Sequence, residues 1–138
     1  MNNVHGWFAA YLRMSLSRHP TVILVVEDEA LVGMLLETIL EDMGCQPLGP
    51  VSTIDEALSM IAANDDIDAV LLDVNLGHIE SFPVARALTD KGVPFVFSTG
   101  HGAGGLPIEW QGHPTLSKPF VEDAVGDALM KAVSAVRA

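Results

Sequence analysis

The chain has 138 residues, of which 49% are hydrophobic and 18% charged, and its formal net charge is −11. That is one ordinary domain, with enough apolar material for a full core, too little charge for intrinsic disorder and no room for a second sizeable domain. So acidic a surface repels phosphate backbones and anionic lipid, which argues against nucleic-acid and membrane partners, and no apolar stretch approaches the ~20 residues a membrane helix needs.

The amino-terminal segment, residues 1–20, reads as an extension to the domain. Trp7-Phe8-Ala9-Ala10-Tyr11-Leu12 is apolar and aromatic, and Arg13 and Arg18 follow it. A secretory signal would place the basic residues first and add a longer apolar core. The segment therefore reads either as a short amphipathic helix or as a leader ahead of an alternative start at Met14.

Thr21 to Val26 is a continuous β-branched apolar run, the pattern of a strand buried on both faces. It stops at Glu27-Asp28-Glu29. Leu31, Val32, Leu35, Leu36, Ile39, Leu40 and Met43 then recur at helical spacing, and Gly44 ends the helix. Cys45, the single cysteine, allows no disulfide within the chain and reads as a small, half-buried hydrophobe, which fits a reducing cytoplasm. Gln46 to Val51 is a weaker strand broken by prolines. Ser52 or Thr53 caps a helix carrying Ala57, Leu58, Ile61 and Ala62.

Asp68 to Asp73 is a third strand, and Asn75 to Gly77 reads as a loop. Phe82 to Lys91 reads as a helix with Val84, Ala85 and Leu88 inward, ended by Gly92. Val93 to Ser98 is a fourth strand, followed by Thr99. Four glycines between Gly100 and Pro107 argue for a loop or at most one helical turn, since each costs about 1 kcal/mol relative to alanine. Trp110, beside this stretch, is either a core residue or a partner contact. Pro114 to Ser117 is a short last strand, and Val121 to Val136 an amphipathic helix with Val125, Leu129, Ala132 and Val133 inward.

Alternating strands and helices of this kind build an α/β fold: a three-layer, doubly wound parallel sheet, here (βα)5 with a short or disordered fourth helix. Ligands of such sheets bind outside the carboxyl ends of the strands. Asp28, Asp73, Thr99 and Lys118 all fall there. In the order 2-1-3-4-5, strands one and three are neighbours, so Glu27, Asp28 and Asp73 converge. Two such charges ~4 Å apart repel by about 4 kcal/mol at an effective dielectric near 20. Protonation of one acid or a hard divalent cation relieves this, and Mg²⁺ favours one or two carboxylates plus water and phosphate. A metal and Lys118 would neutralise a phosphoryl group approaching Asp73, and Thr99 offers it a hydroxyl. An aspartate nucleophile forming an acyl phosphate is an established covalent route.

These pieces resemble the receiver domains of bacterial two-component systems (CheY-like, flavodoxin-like in fold) over about residues 21–136. The matching motifs are Val25-Val26-Glu27-Asp28-Glu29, Leu71-Leu72-Asp73-Val74-Asn75-Leu76, Ser98-Thr99-Gly100 and Ser117-Lys118-Pro119-Phe120. The resemblance implies a receiver domain over 21–138 with Asp73 as phosphoacceptor. It implies Mg²⁺ held by Asp28, Asp73 and the Asn75 carbonyl, with Glu27 helping through water. Thr99 and Lys118 become phosphate contacts, and Lys118–Pro119 a cis bond. A sensor histidine kinase is the implied phosphodonor. Receivers usually carry an aromatic three residues before the lysine, where Thr115 stands here. The run from Pro94 to Gly100 is similar to an alphaproteobacterial subgroup with a Phe-Ala-Thr-Gly signature, which lacks that aromatic, has a poorly formed fourth helix and pairs with kinases of the HWE or HisKA2 type. Ser98 replaces its usual Ala. Gly100, His101, Thr115 and Pro119 are the positions expected to modulate the switch.

The expected function is a single-domain response regulator that signals by a change of shape or drains phosphate from a kinase, as a monomer or weak dimer. It is not an enzyme beyond its own phosphorylation and dephosphorylation. One rival is an aspartate-nucleophile phosphohydrolase, which needs an acid two residues after the nucleophile, where Asn75 stands. Another is a phosphorylation-independent pseudo-receiver, which would lack an acid of the set. A dinucleotide-binding domain is excluded because no Gly-x-Gly-x-x-Gly follows the first strand.

Overall fold

The computed structural model describes residues 21–100 and 105–137. The expectations for the amino-terminal segment and for His101 lie outside the described residues. The elements are β1 (Val22–Val26), α1 (Ala30–Asp42), β2 (Gln46–Val51), α2 (Ile54–Ala63), β3 (Ala69–Asp73), β4 (Asn75–Leu76), β5 (Ile79–Glu80), α3 (Phe82–Lys91), β6 (Phe95–Thr99), a 3-10 turn (Ile108–Trp110), β7 (Thr115–Ser117) and α4 (Glu122–Arg137). Five strands form one parallel sheet in the order β2-β1-β3-β6-β7. This is the expected doubly wound, CheY-like order, with strand numbers shifted by the β4–β5 hairpin.

The central strands β3 and β6 are buried at every residue. Period-two alternation divides their side chains between two cores. Ile23, Val25, Leu71, Val96 and Leu116 face a cluster with Leu36, Leu40, Val125 and Leu129 of α1 and α4. Leu24, Val26, Val70, Leu72, Phe95 and Phe97 face a second cluster with Ala57, Ile61, Val84 and Leu88 of α2 and α3. Helices on both faces are what such continuous apolar strands require.

The prolines of β2 are tolerated because β2 is an edge strand. Its register against β1 shifts between Leu24 and Val26. Gly49 makes the shift possible: its φ is +92°, and a Cβ there would lie 2.9 Å from the Val25 carbonyl oxygen. The α2 cap is Thr53, whose Oγ1 accepts from Glu56 N at 3.1 Å, while Glu56 Oε1 accepts from Ser52 N at 3.0 Å.

Several expectations need correction. In α1 only Gly33, Leu36, Ile39 and Leu40 are buried, while Leu31 is 80% exposed and Leu35 45%. The apolar stripe is wider than the face that meets the sheet and α4. Asn75 to Gly77 is not a plain loop: Asn75 and Leu76 pair antiparallel with Glu80 and Ile79, and Gly77 turns the chain at φ +67°. Strand β6 begins at Phe95 rather than Val93, because Val93 N still donates to Leu88 O at the end of α3. Consistent with the expected short or disordered fourth helix, the described residues between β6 and β7 hold a 3-10 turn, Ile108–Trp110, and no α-helix.

That turn places Trp110, 6% exposed, in an aromatic cluster with Phe82, Phe95, Phe97 and His113. Trp110 is therefore a core residue. Arg86 covers its outer face at 5.1 Å and pairs with Glu109. His113 lies 4.1 Å from the Phe95 ring and donates through Nε2 to Phe95 O at 2.8 Å. Burial pushes its pKa down, against the pull of that carbonyl. Trp110→Ala should destabilise the protein by about 3–5 kcal/mol in urea unfolding. Ile108→Ala, at an 88% exposed neighbour, should cost about 0.5 kcal/mol or less.

Candidate functional site

The parallel topology brings the carboxyl ends of β1, β3, β6 and β7 to one edge of the sheet. Glu27 and Asp73 extend the buried face that carries Val25 and Leu71, so both carboxylates emerge side by side over the α1–α4 core. Glu27 is 3% exposed and Asp73 5%. Asp73 Oδ1 accepts from Asn75 N at 3.1 Å, and Oδ2 accepts from Lys118 Nζ at 3.1 Å. Lys118 Nζ also lies 3.6 Å from Glu27 Oε1 and 3.5 Å from Glu29 Oε1. One ammonium thus faces three carboxylates.

The electrostatics follow from that imbalance. Burial raises the Glu27 pKa from 4.5 to about 8, reinforced by its hydrogen bond with Asp73 and that group's charge, and opposed by Lys118. Burial works against the Lys118 charge, but the hydrogen bond to Asp73 and the charges of Asp73, Glu27 and Glu29 outweigh it and raise the Lys118 pKa. Glu27 therefore holds a proton at neutral pH when nothing else neutralises the cluster.

Most of the residues singled out in the sequence meet here, with one departure. Asp28 turns outward and its Oδ2 accepts from Gly77 N at 2.7 Å, which ties the β4–β5 hairpin to the end of β1. Glu29 stands in its place: carboxylate oxygens of Glu27, Glu29 and Asp73 all lie within 4.8 Å of one another. Glu29 N also donates to Glu27 Oε2 at 3.1 Å. Thr99 ends β6 and is buried, and its carbonyl accepts from Lys118 N at 3.1 Å. Lys118–Pro119 is cis, as expected, and so is Gly49–Pro50. Thr115 pairs with Phe97 across β6 and β7 and is half-buried. Gly100 is exposed just beyond Thr99.

Two contributors escaped the sequence reading. Glu29 was visible only as the third acid of a run. Ser81, fully buried, donates from Oγ to Asp73 O at 2.6 Å and from N to Val74 O at 2.8 Å, fixing the backbone that carries Asp73. Nothing in a lone serine before a helix signals that bond.

The comparisons agree with this geometry. The family model for the response regulator receiver domain matches residues 23–130. Among solved structures, the chain is similar to SdrG from Sphingomonas melonis Fr1, at 42% identity, with 86% of this chain and 98% of that one covered and a TM-score of 0.72. The BeF3-activated conformation of SdrG, from Pseudomonas melonis Fr1, also matches at 42% identity, covering 81% and 95%, with a TM-score of 0.71. A response regulator receiver protein from Sinorhizobium medicae WSM419 matches at 29% identity, covering 87% and 99%, with a TM-score of 0.70. No curated protein matches the chain.

The proton on Glu27 has a measurable consequence. Its folded pKa, about 8, lies above its ordinary 4.5, so the fold favours the neutral acid. Its contribution to stability is fully present below pH 4.5 and is lost as pH rises through about 8. Without added metal, Glu27→Gln, which stays neutral, should flatten the fall in urea midpoint over that window. With its three-carboxylate cluster under Lys118 at the carboxyl edge of a five-stranded parallel sheet, and its match to the family over most of its length, the chain belongs to the receiver domains of response regulators in two-component systems.

Proposed function

We propose that this receiver, spanning 21–138 behind an extension at 1–20, accepts a phosphoryl group on Asp73 from a phosphohistidine of a sensor kinase. The observation that carries the reading is the placement of Asp73: buried, fixed by Asn75 N and Lys118, and flanked by further acids. Receiver domains take their phosphate from sensor histidine kinases. Similarity to SdrG favours the alphaproteobacterial subgroup with the Phe-Ala-Thr-Gly signature, and through it a kinase of the HWE or HisKA2 type.

The residues present fit Mg²⁺. The donors are hard oxygens, three carboxylates gather within 4.8 Å, and Glu27 Oε1 is buried with no hydrogen-bond partner. Asp73, the Asn75 carbonyl and Asp28 would hold the ion, with Glu27 acting through water and Glu29 as a further acid. Asp28 would exchange its Gly77 contact for the metal. When bound, Mg²⁺ supplies positive charge to the phosphoryl oxygens.

The chain's own residues do the rest. Asp73 Oδ1 presents the attacking lone pair, the phosphorus–nitrogen bond of the donor breaks, and the imidazole leaves, so that Oδ2 becomes the acyl carbonyl oxygen. Lys118 moves from the carboxylates to the new phosphoryl oxygens, and the Thr99 hydroxyl donates to another. The bond from Lys118 N to Thr99 O holds the two residues side by side at the ends of β6 and β7. The segment from Gly100 to Trp110 follows Thr99 directly and carries the change outward. Gly100, His101, Thr115 and Pro119 are the positions that tune it. The output is a protein contact or removal of phosphate from the kinase, by a monomer or weak dimer in a reducing cytoplasm. Among the described residues no helix is long and apolar enough to cross a membrane.

Incubation with Mg²⁺ and acetyl phosphate should add one phosphoryl group by intact mass. Asp73→Asn and chelation of Mg²⁺ should each abolish the addition. Continuous turnover of phosphate esters would instead select the phosphohydrolase, and an unmodified mass with both acetyl phosphate and a cognate kinase would select the pseudo-receiver.

A further inference from the structure

Among the described residues, two buried side-chain polar atoms lack any hydrogen-bond partner: Glu27 Oε1 and Ser98 Oγ. Both lie beside Asp73. Ser98 is the register partner of Asp73 across β3 and β6, and Val26 pairs with Leu72 across β1 and β3, which puts Glu27 level with Asp73 on the other side. Val25, Leu71 and Val96 face the α1–α4 core, so Glu27, Asp73 and Ser98, each two residues on, share that face. The three side chains form one row with the phosphoacceptor in the middle.

Glu27 Oε1 is accounted for by Lys118, 3.6 Å away, and by the cation the cluster fits. Ser98 is not. It is 1% exposed, and alanine would fill nearly the same volume without carrying a buried hydroxyl that lacks a partner. Packing gives no reason for the oxygen. A state in which it finds an acceptor does.

We propose that the Ser98 hydroxyl is the reserve donor for Asp73, taking the carboxyl oxygen that Lys118 leaves when its ammonium moves to a phosphoryl group. This rests on Asp73 being the phosphoacceptor. In the resting protein Lys118 Nζ donates to Oδ2 at 3.1 Å and Asn75 N to Oδ1 at 3.1 Å, so each carboxylate oxygen already has a donor. Once Lys118 departs and Oδ1 carries the phosphoryl group, Oδ2 remains as the acyl carbonyl oxygen, a buried acceptor that has lost its donor, and Ser98 is the adjacent hydroxyl on the same face. The pairing satisfies two buried groups at once, and only in the modified state, so it biases the protein toward that state.

Beryllium fluoride with Mg²⁺, which mimics the phosphoryl group on an aspartate, gives an equilibrium test. Wild type and Ser98→Ala would be titrated and followed by ¹⁹F NMR, with thermal unfolding of each unliganded protein measured in parallel. The proposal expects Ser98→Ala to bind the analogue about tenfold more weakly while its unliganded midpoint is unchanged or higher. Equal affinity in the two proteins would overturn the donor role and leave the phosphoacceptor reading intact. Affinity and midpoint falling together would also overturn it, as a packing effect. Wild type that binds no beryllium fluoride would overturn the phosphoacceptor reading itself, and this one with it.

Discussion

A single ammonium facing three carboxylates at the end of a buried sheet is the constraint on which the rest depends. Lys118 touches Asp73, Glu27 and Glu29 but cannot neutralise all three. Such a cluster is tolerated only where the backbone beneath it cannot relax. Here β1 and β3 are buried to their ends, Ser81 clamps the Asp73 carbonyl, and Asn75 N fixes one carboxylate oxygen. The remaining imbalance is met by a proton on Glu27 in the resting protein. Under the proposed function, a divalent cation or a rearranged Lys118 would meet it otherwise. The site is poised because its charge can be satisfied in more than one way by small movements.

The sheet was legible from the sequence because its strands are continuous apolar runs ending in acids. Burial on both faces erases alternation, and that erasure is itself the signature of a parallel α/β sheet. The order 2-1-3-4-5 is one of the doubly wound orders open to such a chain, and in it Glu27, Asp73, Thr99 and Lys118 meet. The finer placement was not legible. Whether Asp28 or Glu29 turns inward depends on φ and ψ at the start of α1, where Glu29 is extended, and on the competing donor at Gly77 N. The hairpin that supplies that donor has only two residues in each strand, below the length at which a period shows. Leu31 and Leu35 share the helical spacing of the buried residues yet are exposed, because spacing reports a stripe and only packing decides how wide a buried face is.

Thr115 illustrates how a missing residue in one strand can be compensated in another. The aromatic ring that receivers usually place in the last strand is absent, yet its neighbour Phe97, paired with Thr115 on β6, is fully buried against Trp110 and His113. Phe97 lies two residues before Thr99 on the same strand. The sheet therefore separates the acidic site from the aromatic cluster across its thickness near one point. Asp73 and Ser98 lie on the α1–α4 side, while Phe97 and the Trp110 cluster lie on the α2–α3 side. A fully buried strand sits in a close-packed interior of low compressibility, which transmits strain. The proposed shift of Thr99 toward a phosphoryl group would act on the strand that carries Phe97, packed against Trp110. Under the proposed function, that would give this receiver a route out of the site that does not pass through an aromatic at Thr115.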